Sequence, residues 1–197
     1  MKIFFASGNE HKREEMARIF PDHEIRIPKD EGIGFDPEET ENTFFGNALI
    51  KAESLWKIVR APVLADDSGI CVDALGGAPG VISARFGSEN GQILDSSGRN
   101  DLLIAKMAGI SDRKCRFVCN MVLFLGPDRF WSVQETLEGE LVEEGRGEGG
   151  FGYDPLVYLG EYGKTVAELS PKEKDHVSHR GKAGRKISAL LSLFPPE

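Results

Sequence analysis

A short apolar run, Val63 to Ala65, runs into two adjacent carboxylates, Asp66 and Asp67, and then into Ser68 and Gly69. This junction constrains the chain more than any other stretch. Read locally it predicts a strand that stops at a turn, because Asp, Ser and Gly satisfy turn geometry with short polar side chains or freedom of φ. Neighbouring acids at the end of a buried strand repel each other and call for a cation, for which a divalent metal with oxygen ligands is economical. The stretch continues as ADDSGICVDALGGAPGVISARF to Phe86, where Gly76, Gly77, Pro79 and Gly80 force a tight path and Ser83 and Arg85 follow. An ordinary exposed turn has the same opening composition, so the rest of the chain has to decide between turn and site.

With 197 residues, 40% of them hydrophobic and 28% charged, the expectation is one soluble globular domain spanning 1–197. No apolar run approaches the roughly 18 residues of a membrane span, and the opening MKIFFASG is too short for a secretory signal, which predicts a cytoplasmic protein. The formal charge of −8 argues against binding long nucleic acid. An anionic ligand must therefore meet a local cationic cluster or a metal. Cys71, Cys115 and Cys119 form no CxxC pair, so disulfides and zinc are not expected. Cys115 and Cys119 share one face of an alternating run with Phe117, Met121 and Leu123, which reads as core.

Lys2 to Ala6 reads as a strand, Ser7-Gly8-Asn9 as a break, and Met16, Ala17, Ile19 and Phe20 as a helix ending at Pro21. Strand, glycine turn and helix in that order aim free helix N–H groups at the turn, and Lys12 adds charge to an anion site. Residues 28 to 42 are acidic and polar, either a solvated loop or the source of a metal ligand. Phe45, Leu49, Ala52, Trp56 and Val59 form a helical stripe from Phe44 to Val59, interrupted by Gly46 and closed before Pro62. Gly46 costs about 1 kcal/mol against Ala there and predicts a close contact or a partner surface. A loop at Asp95 to Gly98 and a short helix from Asn100 to Met107 come next. Cys115 to Leu125 and Phe130 to Leu137 then alternate as a β-hairpin around Gly126-Pro127-Asp128-Arg129.

The segment GRGEGGFGYDP places Phe151, Tyr153 and Asp154 among glycines, which suits backbone that approaches a flat ligand while a ring stacks on it. Ser170-Pro171-Lys172-Glu173 is a capping box that starts a short helix bearing Lys174. Ser178, His179, Arg180 and Lys182 open a terminal helix whose Ala183, Ile187, Leu190, Leu191 and Phe194 are expected to pack inward. Lys174, His179, Arg180 and Lys182 together suggest an anion- or base-reading site.

Taken in order, SGNEHK at Ser7 to Lys12, ADDSGICVDALGGAPGVISARF, GGFGYDP at Gly149 to Pro155, and KTVAELSPKEKDHVSHRGKA at Lys164 to Ala183 resemble the inosine triphosphate pyrophosphatase family. These are the Ham1-like hydrolases of non-standard purine nucleoside triphosphates. The resemblance implies an α/β fold with a long twisted mixed sheet flanked by helices, two lobes and an active-site cleft between them. It also implies a homodimer, Mg2+ as cofactor, and conversion of ITP, dITP or XTP to the monophosphate and pyrophosphate, which keeps deaminated purines out of DNA and RNA.

By motif position it sets Ser7, Gly8, Asn9, Glu10, His11 and Lys12 around the triphosphate, Glu38 and Asp67 at the metal, and Asp67 as proton acceptor. Ser68, Phe151, Gly152, Tyr153, Asp154, Lys174, His179 and Arg180 would contact the nucleotide, with Arg180 donating to the C6 carbonyl of the base. Gly46 departs from the pattern, standing where bacterial relatives usually carry Glu, and Glu39 and Glu41 are the nearby acids that would compensate. A Maf-like house-cleaning pyrophosphatase and a catalytically silent nucleotide sensor are the competing expectations. The retained Asp66-Asp67 pair speaks against the sensor, and the SHR sequence near the C-terminus against the Maf-like enzyme.

Overall fold

The computed structural model describes residues 1–88 and 93–193. Strand β1 (Lys2–Phe5) leads into helix α1 (Glu10–Ile19), whose start is set by Asn9, its Oδ1 accepting the Lys12 N–H at 3.1 Å. After β2 (Glu24–Arg26), Thr43 caps α2 (Phe44–Val59) by accepting the Gly46 N–H at 3.0 Å. Strand β3 covers Val63–Val72, and α3 (Ser96–Lys106) is capped by Asp95. A turn at Pro127-Asp128 joins β4 (Lys114–Gly126) to β5 (Arg129–Leu141), as the alternation predicts. Strands β6 (Val157–Leu159) and β7 (Lys164–Thr165), then α4 (Pro171–Val177) and α5 (His179–Leu191), complete the chain. The capping box at α4 forms: Ser170 N–H donates to Glu173 at 2.7 Å and Glu173 N–H to Ser170 Oγ at 3.3 Å.

The strands make one seven-stranded sheet in the order β2-β1-β3-β4-β5-β6-β7. It is mixed: β1 pairs in parallel with β2 and β3, and β6 pairs antiparallel with β5 and β7. The expectation of a mixed sheet flanked by helices holds. The chain divides into two compact units. The first comprises Met1–Asp67, Cys119–Glu135 and Ser178–Glu197, the second Ser68–Val118 and Thr136–Val177, so β3, β4 and β5 each contribute to both.

In the first unit the two-residue period of the strands sorts side chains into two cores. Ile3, Phe5, Leu64, Cys119, Met121 and Leu123 pack with Met16 and Phe20 of α1 and Ala183, Ile187 and Leu191 of α5. Phe4, Ala6, Val63, Ala65, Val122 and Phe124 pack with Ala48, Ala52 and Leu55 of α2. The second unit has its own core, in which Ile70, Val72, Phe117 and Leu137 meet Leu103 of α3 and Met107 just after it. At about 25 cal/mol per Å² of apolar surface, these layers supply the main driving force for folding.

Two sequence expectations need correction here. Strand β3 does not stop at the acids but continues through Asp66-Asp67-Ser68-Gly69 to Val72. The buried face of α2 is shifted from the expected stripe, with Asn47, Ala48, Lys51, Ala52 and Leu55 innermost and Phe45 39% exposed. In α5, Ala183, Ile187 and Leu191 are buried and Leu190 partly so, whereas Phe194 lies outside the described residues.

Candidate active site

Because β3 runs on through the acids, Asp66 and Asp67 point to opposite faces of the strand. Asp66 shares a face with Leu64 and meets α1 and α5; Asp67 shares one with Val63 and Ala65 and meets α2. The two carboxylates therefore have separate cations, Lys12 and Arg180 for Asp66 and Lys51 for Asp67, rather than one between them.

Asp66 is fully enclosed. Lys12 Nζ lies 3.1 and 3.0 Å from its two oxygens, and Arg180 Nε and Nη2 donate to Oδ2 at 3.1 and 3.0 Å. The remaining guanidinium nitrogen, Nη1, donates to Glu15 at 2.8 Å, and Arg180 is only 2% exposed. Two acids and two cations thus balance. Burial alone would raise the Asp66 carboxyl, but Lys12 and Arg180 override it and hold the group well below the usual carboxylate range. Burial lowers Lys12, opposed by Asp66 and assisted by Arg180 and Lys51. The network presents Lys12 at the α1 N-terminus as a held, partly exposed cation.

On the other face, Lys51 Nζ lies 3.0 Å from Asp67 Oδ1 and 2.9 Å from Glu39 Oε1. Asn47 Nδ2 donates to Asp67 Oδ2 at 3.4 Å. Burial raises the Asp67 carboxyl above its ordinary value against the pull of Lys51, and Glu39 adds to the rise. The result is a buried carboxylate with enhanced basicity, a suitable property for a proton acceptor.

Of the other expected residues in this unit, Ser7 Oγ accepts the Asn9 N–H at 3.1 Å, which folds the turn onto the start of α1. Gly8, Asn9, Glu10 and His11 are exposed there, and Lys12 is half-buried. Glu38 is exposed in the loop 32–43, while its neighbour Glu39 is the acid joined to Lys51. His179, the first residue of α5 after its cap Ser178, is buried. Among the described residues no group of three His, Cys, Asp or Glu side chains is gathered as a metal set.

In the second unit the glycine-rich loop closes on one carboxylate. Asp154 Oδ2 accepts the Phe151 N–H at 2.7 Å and the Lys174 ammonium at 2.7 Å, and Lys174 Nζ sits 4.5 Å from the centroid of the Phe151 ring. Gly150 has φ +70°, and a Cβ there would collide with Asp154 Oδ2, so the glycine is needed for both backbone angle and close approach. Asn100 donates to the Gly152 carbonyl at 3.1 Å. The Tyr153 hydroxyl donates to the Ser83 carbonyl at 2.9 Å, and burial pushes it up to about 12. Tyr153 is therefore an anchor of this loop. Ser68 is half-buried on β3.

Two expectations change. Arg180, read from sequence as the donor to the base, has all three nitrogens committed to Asp66 and Glu15. Lys51 and Asn47 are missing from the expected site, although a lysine and an asparagine four apart among Ala48, Ala52 and Leu55 signal polar groups on a buried helix face. The core reading of Cys115 and Cys119 matches their surroundings: both are buried, and burial pushes each thiol up to about 12, whereas Cys71 is half-buried.

The model of the Ham1 family matches residues 3–190 of this chain. A dITP/XTP pyrophosphatase of Treponema denticola is 52% identical over 97% of this chain and 98% of that protein. One from Clostridium tetani is 40% identical over 98% and 96%. Among solved structures, the Staphylococcus aureus Ham1 protein superposes with a TM-score of 0.87 at 35% identity, covering 99% of this chain and 100% of that one. A HAM1 protein from Coxiella burnetii gives 0.88 at 36% identity, covering 98% and 99%. With nearly its whole length matched in sequence and in fold, the chain belongs to the Ham1 family.

Proposed function

We propose that this chain hydrolyses non-standard purine nucleoside triphosphates, ITP, dITP and XTP, to the monophosphate and pyrophosphate. The observation that carries the proposal is Asp67, a buried carboxylate of raised pKa fixed at both oxygens by α2. A water aimed at the α-phosphorus gives its proton to Asp67, and Lys51 holds the carboxylate in place as that proton arrives. The N–H groups at the start of α1, with Ser7 to Lys12, receive the phosphates, and Asp66 and Arg180 keep Lys12 in position.

The donor set suits magnesium. Glu39 and Asp67 converge on one ammonium nitrogen, so hard oxygen donors from separate elements already meet around a cation, and magnesium usually takes only one or two carboxylates. Asp67 and Glu39 would hold it, with Glu38, the ligand that the resemblance implies, exposed one residue away. When bound it supplies charge neutralisation to the phosphates.

Phe151 stacks on the base, and Lys174, oriented by Asp154 at 2.7 Å, donates to its edge. An ammonium can only donate, so it accepts a C6 carbonyl and rejects the C6 amino group of adenine. Guanine shares that carbonyl and is refused at C2, where its amino group lacks a partner. No helix among the described residues is long and apolar enough to cross a membrane, in keeping with a cytoplasmic enzyme. The functional form is a homodimer with twice the 21.6 kDa mass of one chain, which light scattering after gel filtration measures.

A panel of ITP, dITP, XTP, ATP and GTP, each with and without magnesium, tests the function. Turnover is expected for the first three, with magnesium only. Equal or greater turnover of ATP and GTP would contradict it. Lys174→Met is expected to cost ITP and XTP about 10- to 100-fold more than ATP, the worth of one mispaired polar contact. An equal loss on every nucleotide would take base reading away from Lys174.

A further inference from the structure

Asn47 and Lys51 stand one turn apart on α2 and face the same strand residue. Each engages one oxygen of Asp67, and each also engages the acidic loop before the helix: Lys51 through Glu39, Asn47 by accepting the Glu41 N–H on its Oδ1 at 3.0 Å. Asn47 is 0% exposed. With both ends of its amide bonded, only one orientation is allowed. A flip would set its carbonyl oxygen against the Asp67 carboxylate and its NH2 against the Glu41 N–H.

Gly46 explains how Glu41 reaches that place. A Cβ at position 46 would lie 2.6 Å from both Cβ and Cγ of Glu41, so the stem of Glu41 crosses the first turn of α2 where only glycine leaves room. A glycine there costs the helix about 1 kcal/mol against Ala, which local propensity does not account for. The contact with Glu41 does.

We propose that Asn47 is a positioning residue for the hydrolysis: locked from the loop side by the Glu41 N–H, it fixes Asp67 Oδ2, and Gly46 is what lets Glu41 lock it. This rests on Asp67 being the proton acceptor. A carboxylate held at both oxygens by one helix face cannot rotate about its Cβ–Cγ bond. Without Asn47 it pivots on Lys51 and loses its aim at the water.

The test compares Asn47→Ala, Gly46→Ala, the double variant Glu41→Gly/Gly46→Ala, and Asp67→Asn, reading kcat and KM for ITP with magnesium and the melting temperature of each. Asn47→Ala is expected to lower kcat about 10- to 100-fold with KM within about threefold, the signature of lost aim rather than lost binding. Gly46→Ala separates positioning from stability: alanine is the better helix former, so the melting temperature should hold or rise while kcat falls about tenfold. Removing the Glu41 stem as well should bring kcat back, a coupling that independent sites would not show. If Asp67→Asn is inactive yet Asn47→Ala and Gly46→Ala both keep kcat within about twofold of the parent, far from the loss expected of misaim, Asn47 only supports the helix start and the proposal is wrong. If Asp67→Asn itself stays active, the assignment of Asp67 falls and this inference falls with it.

Discussion

Asp67→Asn is expected to retain the fold and to lose about 10²- to 10⁴-fold in turnover of ITP, the usual worth of a general base, and more if metal binding is lost as well. Retention of the fold follows from the surroundings. The substitution is isosteric, Lys51 keeps Glu39 as its anionic partner at 2.9 Å, and the apolar layer beneath, Val63 and Ala65 against α2, is untouched. The loss follows because an amide at 67 neither accepts a proton from water nor offers a charge to a metal. Steady-state kinetics beside a thermal melt measures both. Turnover within about tenfold of the parent, less than a general base is worth, would remove Asp67 from the chemistry. Asp66 could not replace it, since Lys12 and Arg180 engage both of its oxygens and hold its pKa low.

Arg180→Ala is expected to act on stability first. It leaves Asp66 and Glu15 buried without the cation that joins them, and breaking a buried pair from one side typically costs about 3–5 kcal/mol. That is a large share of the roughly 5–15 kcal/mol that holds a domain together. Denaturant unfolding should show it directly. Because Lys12 loses the partner network that positions it, turnover should fall by a similar factor on every nucleotide. A stable variant that loses activity on ITP and XTP while keeping it on ATP would return Arg180 to the base, against the geometry seen here.

What was legible in the sequence was local. Ser170 and Glu173 cap α4 with groups three residues apart, Asn9 and Ser178 each cap the helix that follows them, and the hairpin turn lies between two alternating runs. Such signals need no knowledge of the rest of the chain. The misreading at Asp66 arose because turn propensity is also local, whereas the interactions that keep β3 straight are not. Asp66 is satisfied by Lys12, 54 residues away, and by Arg180, 114 residues away, and neither distance leaves a trace in composition. The partners of Arg180 are hidden for the same reason: a guanidinium near a helix start looks available until Glu15 and Asp66 are seen on it. Lys51 and Asn47 were hidden by the choice of stripe on α2. Following Phe45, Leu49 and Trp56 sets the inward face slightly off from Ala48, Ala52 and Leu55, and the two polar residues then appear to lie outside it. The family motifs mark the candidate groups, and the side-chain geometry shows which of them meet.

The atom that the water attacks separates α-phosphorus chemistry from every alternative. Hydrolysis of ITP by the magnesium-loaded protein in ¹⁸O-labelled water, with both products weighed by mass spectrometry, reads that atom directly. Attack at the α-phosphorus gives inosine monophosphate carrying the label and unlabelled pyrophosphate, formed in equal amounts. Label in pyrophosphate, or release of orthophosphate with the diphosphate as first product, would contradict it.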